Sequence, residues 1–311
     1  MSITSKDETK ALEGFDKLAY EVRDLKNRPL LVMYYPDKDG YMTTDDVRDV
    51  HDELRRRGFS RDNVAESLDV LLHTYGGDPN SAYRVAQVIR DFARNVDFLI
   101  PFHAYSGGTL TCFCANNIRL GAYSCLSPID ITLEEIELAS IDYYMEFAQK
   151  SRQKIEEMLN DFLQDASKEG SPIVRPRPTT DVERHLLVEM VKQVGALNVG
   201  RYFRERTLTG HYAIKLLSDY MFAKNSNKQS LCDDIANKIL FEFPSHEFEM
   251  DYHICKDLGL PVSEMNDAES EKTKSLVDEL DELTDQGIIC KQLDETYKAP
   301  FIRLYPLGEK V

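Results

Sequence analysis

The chain of 311 residues is 42% hydrophobic and 30% charged, enough apolar content for one large or two modest globular domains and too much for a disordered protein. Its 38 Lys plus Arg stand against 54 Asp plus Glu, a formal net charge of -16, so the surrounding field repels phosphate backbones and excludes nucleic acid as a general partner. The first ten residues are polar and of mixed charge, and no run approaches the roughly 18 apolar residues of a membrane span, so the expectation is a cytoplasmic protein with no membrane span.

In chain order, residues 1 to 27 carry Leu12, Phe15, Leu18, Ala19 and Val22 at helical spacing, which predicts an amphipathic lead-in helix. Pro29 to Tyr35 reads as the first strand, with Asp37 to Gly40 as its turn. Thr44-Asp-Asp46 then caps a helix that stops at Gly58. The block from Asp37 lacks the closing bidentate glutamate of a calcium loop, so it is a solvated turn and not an EF-hand.

Ser67 to Thr74 predicts a strand and Asp78 to Phe92 a helix, with Tyr75-Gly-Gly77 between them. A second strand, Asp97 to Pro101, leads through His103-Ala-Tyr-Ser-Gly-Gly-Thr109 into a helix, and Asn117 to Gly121 is a further strand. This βαβαβ progression implies an α/β fold with a mostly parallel sheet. Ligands of open α/β sheets bind at the carboxyl ends of the strands, so the glycine turn and Ser106 belong to one edge. Ser106 sits at a strand-to-helix joint, where serine serves either as an exposed nucleophile or as an N-cap.

Residues 133 to 168 read as a long acidic helical arm, up to about residue 170. The stretch 171–178, with Pro172, Pro176 and Pro178 beside Arg175 and Arg177, breaks it as a loop. Helical patterns follow at 181–194, 210–222 and 231–240; residues 241–249 read as extended, 251–259 as a short helix, 270–283 as a helix and 299–305 as a strand. Cys112, Cys114, Cys125, Cys232, Cys255 and Cys290 are scattered without a C-x-x-C pair, the pattern of reduced core thiols rather than of a disulfide or zinc framework. No metal or cofactor is expected. His246 with Glu247 or Glu249 lacks a third metal ligand; His73 reads as a structural histidine, and His103, just before the nucleophile turn, as either a residue supporting that turn or a plain loop residue.

Four motifs in order, Leu71-Leu-His-Thr-Tyr-Gly-Gly-Asp-Pro79, Ala104-Tyr-Ser-Gly-Gly-Thr-Leu110, Ser124-Cys-Leu-Ser-Pro-Ile-Asp130 and Pro244-Ser-His-Glu-Phe-Glu249 with Leu258-Gly-Leu260, resemble the serine dehydrogenase proteinase family. That family belongs to the Clp protease/crotonase-like superfamily and is related to signal peptide peptidase A. Its members usually have proline at Tyr75, alanine at Gly108 and glycine at Ser127, so this chain departs from the pattern beside the presumed reactive groups.

The resemblance implies a Clp/crotonase-like fold of stacked βαβ units with added helices, spanning 28–265 between the lead-in at 1–27 and a helix-strand extension at 266–311. It further implies a homo-oligomer and a peptide or protein substrate. Ser106 matches the nucleophile, and the backbone N–H groups of Gly77 and Gly107 match the oxyanion hole, with Gly76 in the same turn. Two bases remain open: a Ser106–His246–Asp130 triad, or a lysine, Lys150 or Lys154, as in the signal peptide peptidase relatives. The alternative function is a catalytically inactive Clp-like assembly or binding protein that acts through its helical arm. A crotonase-like thioester activity ranks last, for want of an adenine-nucleotide pocket.

Overall fold

In a computed structural model, residues 5–36, 40–129, 196–290 and 298–308 are described. The arm at 133–170, the proline loop at 171–178, the helix at 181–194, Asp130, Lys150 and Lys154 lie outside them, as does most of the turn after the first strand. The chain divides into two units, Met1–Asp130 with Thr209–Val311, and Ile131–Leu208. In the second, the described residues are helical; the sheet belongs to the first.

Six strands form one sheet in the order β7-β5-β3-β2-β1-β8. The central four, β1 (Leu30–Tyr34), β2 (Ala65–His73), β3 (Ala93–Ile100) and β5 (Asn117–Leu120), run parallel. β7 (Val262–Glu264) adds a parallel edge, and β8 (Phe301–Tyr305) pairs antiparallel with β1 at the other edge. β4 (His103–Ala104) and β6 (Cys125–Leu126) make a separate short parallel pair. The expected βαβαβ order is present: α2 (Thr44–Arg56), α3 (Pro79–Phe92) and α4 (Gly107–Cys112) connect successive parallel strands. The helix and strand near the C-terminus are built into this body, since β8 supplies the antiparallel edge.

Each strand of a doubly covered sheet buries both faces, which is why β1 is buried at every residue. Leu31, Met33, Leu68, Val70 and Leu72 pack beneath α2 and α3, with α6 (Lys228–Phe241) in the same core. Leu30, Val32, Tyr34 and Leu71 face the other way, into a second core with α1 (Ser5–Lys26) and α8 (Asp267–Asp285). The lead-in helix thus packs on the body through Phe15, Ala19 and Val22. At the amino-terminal half of the strands this second face is polar: Arg28 pairs with Asp69 (2.9 Å) and Asp97 (2.7 Å), and Arg119 with Glu269.

Two elements differ from the sequence expectation. β3 begins at Ala93, immediately after α3, because Ala93 and the polar Asn95 still pair in register with Ala65 and Ser67 of β2. Residues 241–249 are not one extended run: α6 reaches Phe241 and a turn at 246–247 follows. A single antiparallel bridge then joins Met250 to Leu126. α5 (Ala196–Leu216) ends in a π-helical turn, Leu217–Met221, within the helix expected at 210–222.

Candidate active site

The site is made where two strand-to-helix turns meet at the carboxyl edge of the sheet. The first is Thr74-Tyr-Gly-Gly77. Thr74 Oγ1 accepts from the Gly76 N–H at 3.0 Å and donates to Gly76 O at 3.2 Å, folding the turn back on its own strand. Met42 pairs alongside: its N–H donates to Gly76 O (2.8 Å) and its carbonyl accepts from Asp78 N–H (3.0 Å). In such a parallel bridge the neighbours of the central residue face the partner, so Gly77's own N–H and C=O point away from Met42. Glycine is required here, because φ is +121° at Gly76 and +148° at Gly77, and an ideal Cβ on Gly77 would lie 2.3 Å from Met42 N.

The second turn carries the serine. Thr74 N–H donates to His103 O (3.2 Å) and Tyr105 N–H to Thr74 O (3.0 Å), so the two turns are bonded directly to each other. Ser106 follows with φ 47° and ψ -109°, a backbone region that costs a non-glycine residue about 1–3 kcal/mol and persists only where its surroundings over-determine it. They do so here: Ser106 N–H donates to Ser127 Oγ (2.8 Å) and Ser106 O accepts from Leu110 N–H (3.0 Å). Ser106 occupies the N-cap of α4, yet its side chain makes no capping bond. Capping therefore does not explain this serine.

The two turns approach closely. An ideal Cβ on Gly107 would lie 3.1 Å from Gly77 N and 2.9 Å from Gly77 O, and one on Gly76 would meet Ser106 Cβ at 3.0 Å. The N–H of Gly107 is at the first position of α4, where a helix leaves its donor without an intrahelical partner. Ser106, Gly76, Gly77 and Gly107 are thus brought together.

His246 is half-buried in the turn between α6 and Met250. Its segment reaches the serine's side of the sheet: Leu126 and Met250 exchange backbone hydrogen bonds at 3.0 and 2.9 Å, and Tyr105 OH donates to Glu249 Oε1 at 3.3 Å. Among the described residues Ser106 Oγ makes no hydrogen bond, to His246 or to any other group. Asp130, Lys150 and Lys154 lie outside the described residues.

Several residues of the site were given no firm role in it from sequence. Ser127 stands where the family pattern has glycine, and it is this departure that supplies the acceptor for Ser106 N–H. Thr74 lies beside the glycine pair and was read only as the end of a strand. His73, Tyr75, His103 and Tyr105 form a continuous ring cluster, with His103 centred 4.2 Å from His73, 4.4 Å from Tyr75 and 4.6 Å from Tyr105. Burial, with the neighbouring His103 adding to it, pushes the His73 imidazole down to about 3. Burial pushes His103 down to about 4. Both rings are neutral at physiological pH. All six cysteines are buried and free, in keeping with core thiols, and burial pushes Cys114 and Cys255 up to about 12. Among the described residues no group of three or more His, Cys, Asp or Glu is placed to hold a metal ion, and no helix is long and apolar enough to cross a membrane.

A serine in strained backbone, packed against a paired-glycine turn at the edge of a mostly parallel sheet, is the arrangement that the resemblance to Clp-like serine hydrolases implies. Residues 40–171 match the model of the ClpP-like SDH-type serine proteinase family, which supports the resemblance carried by the first three motifs and the α/β fold it implied. Two curated relatives, both uncharacterized proteins of Methanocaldococcus jannaschii, are similar to parts of the chain. One is 30% identical over 74 residues, 24% of this chain and 26% of the relative. The other is 23% identical over 147 residues, 41% of this chain and 50% of the relative. The chain thus spans between about a quarter and a half of the length of these relatives. No solved structure matches it.

Proposed function

We propose that the protein is a serine peptidase in which Ser106 attacks the carbonyl of a peptide or protein substrate and the N–H groups of Gly77 and Gly107 hold the oxyanion. The observation that carries this reading is the Ser106 backbone, held at φ 47° with its hydroxyl spared from capping. Strain of that kind is retained where it aims a reactive group. Two amide donors pointed at a developing oxyanion are worth about 3 kcal/mol each in the transition state.

His246 takes the serine's proton as general base, and Asp130 orients the imidazole. The Tyr105–Glu249 and Leu126–Met250 contacts support this role, since they tie the histidine's segment to the serine's turn. The alternative base is Lys150 or Lys154. The active protein is a cytoplasmic homo-oligomer whose hydrolase domain spans 28–265, with the arm at 133–170 as the assembly contact.

A fluorophosphonate probe tests the reading: labelling of the wild type should vanish in Ser106→Ala and fall sharply in His246→Ala. Labelling that survives in His246→Ala but is lost in Lys150→Met or Lys154→Met assigns the base to lysine. The unbonded Ser106 hydroxyl favours one other reading, an inactive Clp-like binding protein that acts through its arm. A folded wild type that takes no label, with function intact in Ser106→Ala, would establish that reading instead.

A further inference from the structure

On the sheet face that carries α1 and α8, at the carboxyl ends of β1 and β2, a cavity of about 360 Å³ opens beside the last turns of α8. It is lined by Tyr34, His73, Tyr75, Phe102, His103, Asp281, Thr284 and Asp285. Its floor is deep, with Tyr34 2% and His73 7% exposed, whereas Asp281 and Asp285 stand exposed at the rim. Tyr34 OH donates to Asp281 and so fixes that carboxylate over the opening.

The chemistry of this lining is one-sided. His73 Nδ1 and His103 Nε2 are buried and have no hydrogen-bond partner, an arrangement that is costly unless a ligand or water completes it. Neither imidazole carries charge, because burial holds both far below neutral pH. Around them are the faces of two tyrosines and a phenylalanine, and above them two carboxylates. Among the described residues lining the cavity there is no lysine or arginine. In the tautomers protonated on the opposite ring nitrogen both atoms accept, and with the π faces and negative charge they fit a ligand that is cationic and carries only donors, as an ammonium or guanidinium group is. An anion would meet the two aspartates.

The cavity shares its wall with the nucleophile's turns. Tyr75 directly precedes Gly76, whose ideal Cβ would meet Ser106 Cβ at 3.0 Å. His103 lies three residues before Ser106, and its ring stacks on Tyr105. From these observations we propose that the cavity is a subsite for the lysine or arginine side chain of a peptide bound across Ser106. The inference rests on the peptidase reading for the word substrate and stands on the cavity for the word basic.

The test separates the two. The Ser106→Ala protein, which cannot turn over a substrate, is titrated with Nα-acetyl-lysine amide, Nα-acetyl-arginine amide and the uncharged Nα-acetyl-norleucine amide. Binding is followed by the imidazole NMR signals of His73 and His103. The basic amides should shift both signals saturably and the norleucine amide should bind at least about tenfold more weakly, a difference of about 1.4 kcal/mol. Asp285→Asn should weaken the lysine amide by about fivefold, the upper end for a partly exposed ion pair, and Tyr75→Ala by about tenfold. The same titration on the wild type covers a Ser106→Ala protein that fails to fold.

Equal binding of the lysine and norleucine amides overturns the proposal. So does tight binding of spermidine with none of the basic amides, which would make the cavity a site for a free polyamine. Labelled Ser106 without binding of the basic amides sinks this inference and leaves the peptidase. Binding as expected with an unreactive Ser106 keeps the basic-side-chain site and removes the peptidase.

Discussion

Replacing Ser106 by glycine and, separately, by alanine isolates the backbone strain from the chemistry, because both variants lack the hydroxyl. At an ordinary position glycine is the less stable of the two by about 0.5–1 kcal/mol, since it loses more conformational freedom on folding. At Ser106 the sign reverses. The φ of 47° and ψ of -109° are held by the Ser127 acceptor and the Leu110 N–H, and neither bond involves the serine side chain. Alanine therefore keeps a strain of about 1–3 kcal/mol that glycine sheds. Subtracting the entropic cost leaves Ser106→Gly more stable than Ser106→Ala by about 1 kcal/mol. For a chain of this size that is a rise of about 2 °C in melting temperature, or a matching shift in urea midpoint. A Ser106→Gly protein less stable than Ser106→Ala would refute the strain argument and, with it, the observation that carries the proposed function.

The departure of Gly108 from the family's alanine has a local partner. An ideal Cβ on Gly108 would lie 2.5 Å from Thr74 Cγ2, so Gly108→Ala should cost about 1–3 kcal/mol. Adding Thr74→Ser, which removes that methyl and keeps the hydroxyl bonds to Gly76, should recover most of the loss in urea unfolding. The pH dependence follows from His73, whose folded pKa of about 3 lies below the ordinary value of 6.5. Its contribution to stability is complete above about pH 6.5 and is lost as pH falls towards 3. Between pH 8 and pH 5 that loss is about 2 kcal/mol. His103, held down to about 4, contributes a loss of similar size to both proteins, so urea unfolding at the two pH values should show a loss about 2 kcal/mol larger in the wild type than in His73→Phe; equal losses in both proteins would exclude His73 as the group responsible.

The succession of the main parallel strands β1, β2, β3 and β5 and the helices between them is legible in the residues alone, because strand runs such as Leu30–Tyr34 and the helical face of Ala82, Val85, Ala86 and Ile89 are set by local periodicity. The paired glycines likewise announced two tight turns at one sheet edge, and their motifs announced the family. What the tertiary structure decided depends on contacts between distant segments. Whether Ser106 caps α4 is a question of its φ and ψ, which Ser127, 21 positions away, helps to impose. The bridge of Met42 to Gly77 turns the Gly77 amide away from Met42, and nothing in the spacing of those residues foretells it. His73 and His103 each read as an ordinary structural or loop histidine. Only the return of α8 across the sheet, nearly 200 residues later in the chain, puts carboxylates over them and makes a cavity of the two. Local pattern fixes where the chain turns. The burial, charge and unsatisfied donors or acceptors that give a site its chemistry are properties of the packed molecule.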